Sequence, residues 1–68
     1  MTKEQIKEAI KEMDCLEEKE AAILAGVIFE AANGTEEKRQ AATAVINFLY
    51  DADRITMANR LDMIDLFF

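Results

Sequence analysis

The feature that most constrains this chain is an uninterrupted apolar run over residues 21–29, with the sequence AAILAGVIF. When the run is plotted as a helix at about 100° per residue, apolar side chains cover most of the circumference. A helix of this kind has to be covered on more than one side, and its alanines and Gly26 allow neighbouring backbones to approach closely. The run therefore predicts a central helix. At nine residues it is far shorter than the roughly 20 that a bilayer span requires.

Residues able to cap a helix mark the starts of the first two predicted helices. Thr2 precedes Gln5 by three residues, which is the capping-box pattern, and Asp14 precedes Glu17 by the same spacing. We therefore expect helix 1 to begin at Thr2 and helix 2 to begin near position 15 or 16. One continuous helix from Thr2 onward is the alternative.

Similar signals divide the rest of the chain. Asn33 and Gly34 are expected to supply the left-handed residue that ends helix 2. Thr35 and Thr56 are expected to cap helices 3 and 4, with a turn over residues 51–54 between them. The sequence thus predicts one all-α domain over its full length: a small four-helix bundle of two antiparallel helical hairpins, with helix 2 central.

The outer helices carry apolar stripes at helical spacing. Helix 3 has two stripes side by side, which make a wider apolar face than a single neighbour needs. The stripe of helix 1 consists of Ile6, Ala9, Ile10 and Met13. The stripe of helix 4 consists of Met57, Leu61, Ile64 and Phe68, and it leaves out Met63, Leu66 and Phe67.

These stripes amount to more apolar surface than a chain of this size can hide. Apolar residues make up 51% of the sequence, whereas a domain of about 60 residues buries only about 60% of the surface that its unfolded chain exposes. We therefore expect a homodimer. The side chains expected to make protein contacts are Phe48, Phe67 and Phe68.

Composition excludes several chemistries. The sequence has no histidine and one cysteine, Cys15, which excludes an imidazole base, an internal disulfide and a cysteine-rich zinc site. The spacing of Asp51, Asp53 and Asp62 is similar to that of a calcium loop, but Ile55 stands where the loop needs an oxygen ligand and Thr56 where it needs glycine. We expect no metal, no cofactor and no enzymatic activity, and we interpret Cys15 as an inert thiol.

The charge balance is acidic, with 8 basic and 14 acidic residues and a net charge of −6. Six glutamates are expected to form an acidic face that could steer a partner or imitate a nucleic acid. They are Glu4, Glu8, Glu12, Glu17, Glu18 and Glu20. Asn59 and Arg60 at the start of helix 4 are side chains of the kind that read bases. However, residues 35–68 hold four basic against six acidic residues, which argues against direct nucleic-acid binding.

The function that these features predict is that of a small, acidic protein–protein interaction module. It would act as a regulator or adaptor by docking on a larger protein, and it would itself be a homodimer. The alternative is an acidic nucleic-acid mimic that inhibits a nucleic-acid-binding protein, of the kind that phages and mobile elements encode, and the third possibility is a helix-turn-helix regulator. Charged residues throughout positions 3–20 do not fit a secretory signal, so we expect a cytoplasmic protein without a membrane partner.

Overall fold

A computed structural model describes residues 2–68, which form four α-helices connected by short turns, with no strand among these residues. The helices pack in chain order, since α2 contacts both α1 and α3, and α3 contacts α4. No helix in this part of the chain is both long enough and apolar enough to cross a membrane. The helix bounds are Lys3–Glu12 for α1, Glu18–Ala32 for α2, Glu36–Asp51 for α3 and Met57–Phe67 for α4.

Three of the helices begin at the predicted threonine caps. Gln5 N donates to Thr2 Oγ1 at 3.2 Å and Thr2 N donates to Gln5 Oε1 at 2.8 Å, so the predicted capping box is confirmed. The Thr35 side chain caps α3. Thr56 forms a second box with Asn59, whose backbone N–H donates to Thr56 Oγ1 at 3.1 Å. These caps satisfy backbone N–H groups that the first turn of a helix leaves without a partner.

The break between α1 and α2 is confirmed, but the predicted cap at Asp14 is wrong. Asp14 adopts a left-handed φ of 52° and its N–H donates to Lys11 O at 3.0 Å, so it closes the end of α1. The N-cap of α2 is Glu17, whose N–H donates to Glu20 Oε1 at 3.2 Å. Helix 2 therefore begins at Glu18, and the continuous-helix alternative is excluded. Two capping patterns overlap here, Asp14 with Glu17 and Glu17 with Glu20, and their equal spacing does not show which one the helix uses.

The end of α2 also differs from the prediction. Neither Asn33 nor Gly34 is left-handed, because Asn33 has a φ of −109° and no glycine among residues 2–68 has a positive φ. Instead, Asn33 Nδ2 donates to Phe29 O at 3.3 Å and satisfies a terminal carbonyl. Glycine is needed at position 34 for space, because a Cβ there would lie 2.7 Å from Glu30 O.

The core lies on one side of α2, which contributes five of the eleven buried side chains. Gly26 makes room for the side chain of Lys3, whose Cε would lie 3.3 Å from a Cβ at that position, rather than for a neighbouring backbone. The buried residues are Ile6, Ile10, Ala21, Leu24, Ala25, Ile28, Ala31, Ala42, Ile46, Ile55 and Met63.

The orientation of α4 is the largest departure from the predicted stripes. Met63 is fully buried and Phe67 packs against the core, although neither belongs to the predicted stripe. Three stripe residues, Met57, Leu61 and Phe68, are exposed. Since apolar residues occur all around this helix, their spacing alone does not determine which side the other helices cover.

Candidate functional site

Seven large apolar side chains are exposed, and six of them fall into two groups, while the seventh, Leu66, lines a concavity between α1 and α4. Ile23, Val45 and Phe48 lie on the outside of α2 and α3, and we call them the α2–α3 face. Met57, Leu61 and Phe68 lie on or directly after α4, and we call them the α4 face. Single exposed apolar residues are common on protein surfaces, but clusters mark contact sites. The two faces are therefore the candidate interaction surfaces.

The α2–α3 face contains a groove with almost entirely apolar walls. Its volume is about 180 Å³, and Ile23 and Val45 contribute to opposite walls, one from each helix. The remaining lining residues are Leu16, Glu20, Leu24, Val27 and Leu49. Phe48 follows Val45 by three residues on α3 and is 69% exposed. This face thus combines a recess with an aromatic side chain that projects beside it.

The sequence indicates Phe48 as a contact residue but misses Ile23, which is 71% exposed. The all-apolar run predicts a helix that is covered on more than one side, and it does not show which side of α2 stays open. A usable signal lies just outside the run, because Lys19 and Glu30 fall on the same side of the helix as Ile23 at intervals of four and seven residues. Charged residues at these positions indicate that this side of α2 faces solvent.

The three predicted contact phenylalanines occupy different environments. Phe48 belongs to the α2–α3 face, and Phe67 packs against the core beside Ile28. Phe68 is 42% exposed and borders a separate depression of about 400 Å³, which includes Thr43. The structure therefore places Phe48 and Phe68 in different surface features, while Phe67 anchors the end of α4.

The predicted acidic face does not form one open field. Glu18 lies between two lysines of α1, with its Oε1 at 3.5 Å from Lys7 Nζ and 3.8 Å from Lys11 Nζ. Glu20 accepts a hydrogen bond from the Arg54 guanidinium. On α1 itself, Glu4 and Glu8 lie within 3.9 and 4.0 Å of the same two lysines. Lysine and arginine thus neutralise much of this surface.

Acidic side chains of α1 and α4 instead line one shared concavity between these two helices. Its volume is about 670 Å³, and its walls include Glu12, Asp62 and Asp65 together with Leu66. Asp62 and Asp65 are three residues apart on α4, whereas Glu12 is 50 positions earlier than Asp62, so spacing along the sequence does not connect them. Among residues 2–68, no cluster of three or more His, Cys, Asp or Glu side chains is placed to hold a metal ion.

The two side chains suited to base recognition make contacts within the chain. The Asn59 side chain accepts from Thr56 N at 3.1 Å as part of the helix cap. Arg60 Nε donates to Asn47 Oδ1 at 2.7 Å, and its guanidinium carbon lies 5.5 Å from the centre of the Tyr50 ring. Reading a base would require both side chains to give up these contacts.

Cys15 lies in the turn between α1 and α2 and is partly buried against the core. Burial is the main reason that the pKa of its thiol is raised. A backbone hydrogen bond opposes this effect, while the charges of Asp14 and Glu20 add to it. These surroundings disfavour the thiolate, which is the reactive form of cysteine.

Comparison of the chain with protein-family models, curated proteins and solved structures finds no match.

Proposed function

We propose that this chain is a non-enzymatic protein–protein interaction module that docks on a larger partner and is itself a homodimer. The observation that carries the proposal is the exposure of large apolar side chains in two separate groups, the α2–α3 face and the α4 face. Aromatic and large aliphatic side chains supply much of the binding energy of protein interfaces when they become desolvated. Two such faces allow self-association and partner docking to use different surfaces.

We assign the α4 face to the larger partner. Met57, Leu61, Ile64 and Phe68 follow one another at intervals of four, three and four residues. This is the spacing with which an amphipathic helix presents anchor side chains to an apolar groove on another protein. Phe67 supports the arrangement from the inner side, where it packs against the core.

We further propose that the helices form two antiparallel hairpins with α2 central. Lys3, at the start of α1, lies against Gly26 in the second half of α2. Lys11, near the end of α1, lies 3.8 Å from Glu18 at the start of α2. This reversed order of contacts is expected of an antiparallel pair. The large share of buried side chains that α2 contributes supports its central place.

The second hairpin is supported by contacts between α3 and α4. Arg60, in the first half of α4, donates to Asn47 in the second half of α3. Phe68, just after α4, borders the depression that Thr43 lines further back along α3. The order of contacts is again reversed, and it is compatible with an α4 whose outer side is free to meet a partner.

The acidic-mimic alternative rests on the net charge of −6. The ion pairs of Glu18 and Glu20 weaken it, because a carboxylate already close to a lysine or arginine offers less charge to a partner. A helix-turn-helix regulator has less support still, since Asn59 and Arg60 are engaged within the chain.

Affinity capture from the source cell's extract, repeated with each captured protein in purified form, tests the docking proposal. We expect Leu61→Asp to abolish capture, because it places a charge in the middle of the α4 face. Ala58→Asp is the matched control, since it adds the same charge at another exposed position of α4. Equal capture by both variants would contradict the assignment.

Two further measurements separate the alternatives. Reversal of Glu17, Glu18 and Glu20 to lysine should leave capture intact under the docking proposal and abolish it for a nucleic-acid mimic. A mobility-shift assay with random duplex DNA at low salt should show no binding, and a shift would favour the DNA-binding regulator. Light scattering tests the homodimer, because a mass of 7.7 kDa at every concentration would contradict it.

A further inference from the structure

We infer that the α2–α3 face is the seam of the homodimer, with Phe48 of each copy seated in the α2–α3 groove of the other. The inference rests on the proposed self-association and specifies its surface. In a two-fold dimer the same patch of both subunits meets, so the patch has to be complementary to itself. A face that carries both a projecting ring and a recess meets this requirement.

The volume of the groove is similar to that of a cavity that holds one aromatic ring. The groove has a volume of about 180 Å³, and an apolar protein cavity of about 150 Å³ is known to accept benzene. The groove therefore has the volume to hold a single phenyl ring. The Phe48 side chain, 69% exposed on its own helix, has enough free surface to enter such a recess.

The walls suit a phenyl ring chemically as well. Of the groove's lining residues, Glu20 alone is charged, and its carboxylate is already bound by the Arg54 guanidinium. The carboxylate therefore does not depend on the solvent that a bound ring would displace. Ile23 and Val45, which are exposed in a single copy, would lose contact with water on the two sides of the ring.

The charge distribution favours this face over the α4 face as the place where two copies meet. Each copy carries a net charge of −6, so two copies repel each other unless they meet where local charges are balanced. The α2–α3 face has this balance, because Glu20 is paired with Arg54 and Glu30 lies 3.9 Å from Lys38. The α4 side instead holds the acidic concavity with Asp62, which would face an equally acidic copy.

A seam of standard size would take up a modest part of the surface of this chain. A standard interface buries about 800 Å² on each partner, which is less than a fifth of the 4476 Å² surface of this chain. The exposed part of Phe48 amounts to about 140 Å², given that a phenylalanine offers about 200 Å². This one side chain would thus account for a substantial share of the contact.

Light scattering and sedimentation of the full chain, over a range of concentrations, test the seam with two charge-inserting variants. Phe48→Asp should shift the mass from that of a dimer to the 7.7 kDa of one copy. Leu61→Asp is the control, because it introduces the same charge at an exposed apolar position of the α4 face. It should remain dimeric. Phe48→Ala should weaken the dimer about tenfold or more, and circular dichroism verifies that each variant is folded.

The outcomes distinguish this inference from the proposed function. A wild-type chain that is monomeric at every concentration overturns both the homodimer and its seam. A wild-type dimer that survives Phe48→Asp overturns the seam and leaves the homodimer in place. Loss of the dimer in Leu61→Asp also overturns the seam, because the α4 face would then be part of the contact. Only a dimer that is lost in Phe48→Asp and retained in Leu61→Asp supports the inference.

Discussion

Truncation of Met63 and of Leu61 should have very different effects on stability, although both are large apolar residues of the same helix. Met63 is fully buried, whereas Leu61 is 49% exposed. The helical spacing of the sequence predicts instead that Leu61→Ala costs more stability than Met63→Ala, since Leu61 belongs to the predicted stripe and Met63 does not. The pair Met63→Ala and Leu61→Ala therefore tests which side of α4 faces the core.

The expected magnitudes follow from burial. Truncation of a fully buried methionine to alanine costs about 2–5 kcal/mol, because transfer energy is lost and a cavity remains. Leu61 loses only the buried half of its side-chain transfer energy, or about 1 kcal/mol. Helix propensity does not separate the two variants, since leucine and methionine differ little from alanine. With a total stability of about 3–10 kcal/mol for a chain of this length, Met63→Ala removes a substantial part of the free energy of unfolding and lowers the Tm by about 10 °C or more.

Urea unfolding followed by far-UV circular dichroism measures both losses. The experiment should be run at two protein concentrations, because dissociation of a homodimer makes the midpoint depend on concentration. At the lower concentration, Met63→Ala should lose at least twice as much free energy of unfolding as Leu61→Ala. A loss for Leu61→Ala equal to or greater than that for Met63→Ala would refute the orientation of α4 described above.

Three further predictions concern single sites. Thr56→Ala should destabilise the chain by about 1 kcal/mol in urea unfolding, because it removes the cap of α4, and Thr56→Ser should retain most of that energy. Gly34→Ala should also lower the urea midpoint, since its Cβ would lie 2.7 Å from Glu30 O, and an unchanged midpoint would show that the turn relaxes freely. At pH 8, Cys15 should react with iodoacetamide more slowly in the folded chain than in urea, because burial raises its pKa and lowers the thiolate fraction; equal rates would contradict this.

The sequence predicts the helix starts well where one short segment contains the whole capping interaction. Thr2 and Gln5 form their box within four residues, and Thr35 needs only its own first turn. Such interactions depend little on the remainder of the fold, so spacing alone identifies them. At Asp14 the same reasoning fails, because the residue can either close one helix or open the next, and the packing of α1 against α2 decides between these roles.

Candidate contact sites are harder to predict because exposure depends on all the helices together. Phe48 was identified as an aromatic side chain on an unusually wide apolar face of helix 3. The exposure of Ile23 does not follow from the sequence pattern, because the other helices leave one side of an all-apolar run uncovered. The acidic concavity is hard to predict for a related reason, since its walls combine Glu12 with Asp65 from the opposite end of the chain.

The composition of the core explains why large apolar side chains remain outside. Four of the eleven buried residues are alanines, three of them on α2. Alanines let helices pack closely, but each removes little apolar area from water, and stabilisation is roughly proportional to that area. The larger side chains of Ile23 and Phe48 are exposed on the far sides of the same helices. An apolar content of 51% is therefore a poor measure of the core of this chain, because much of the apolar volume lies on the exposed sides of the helices.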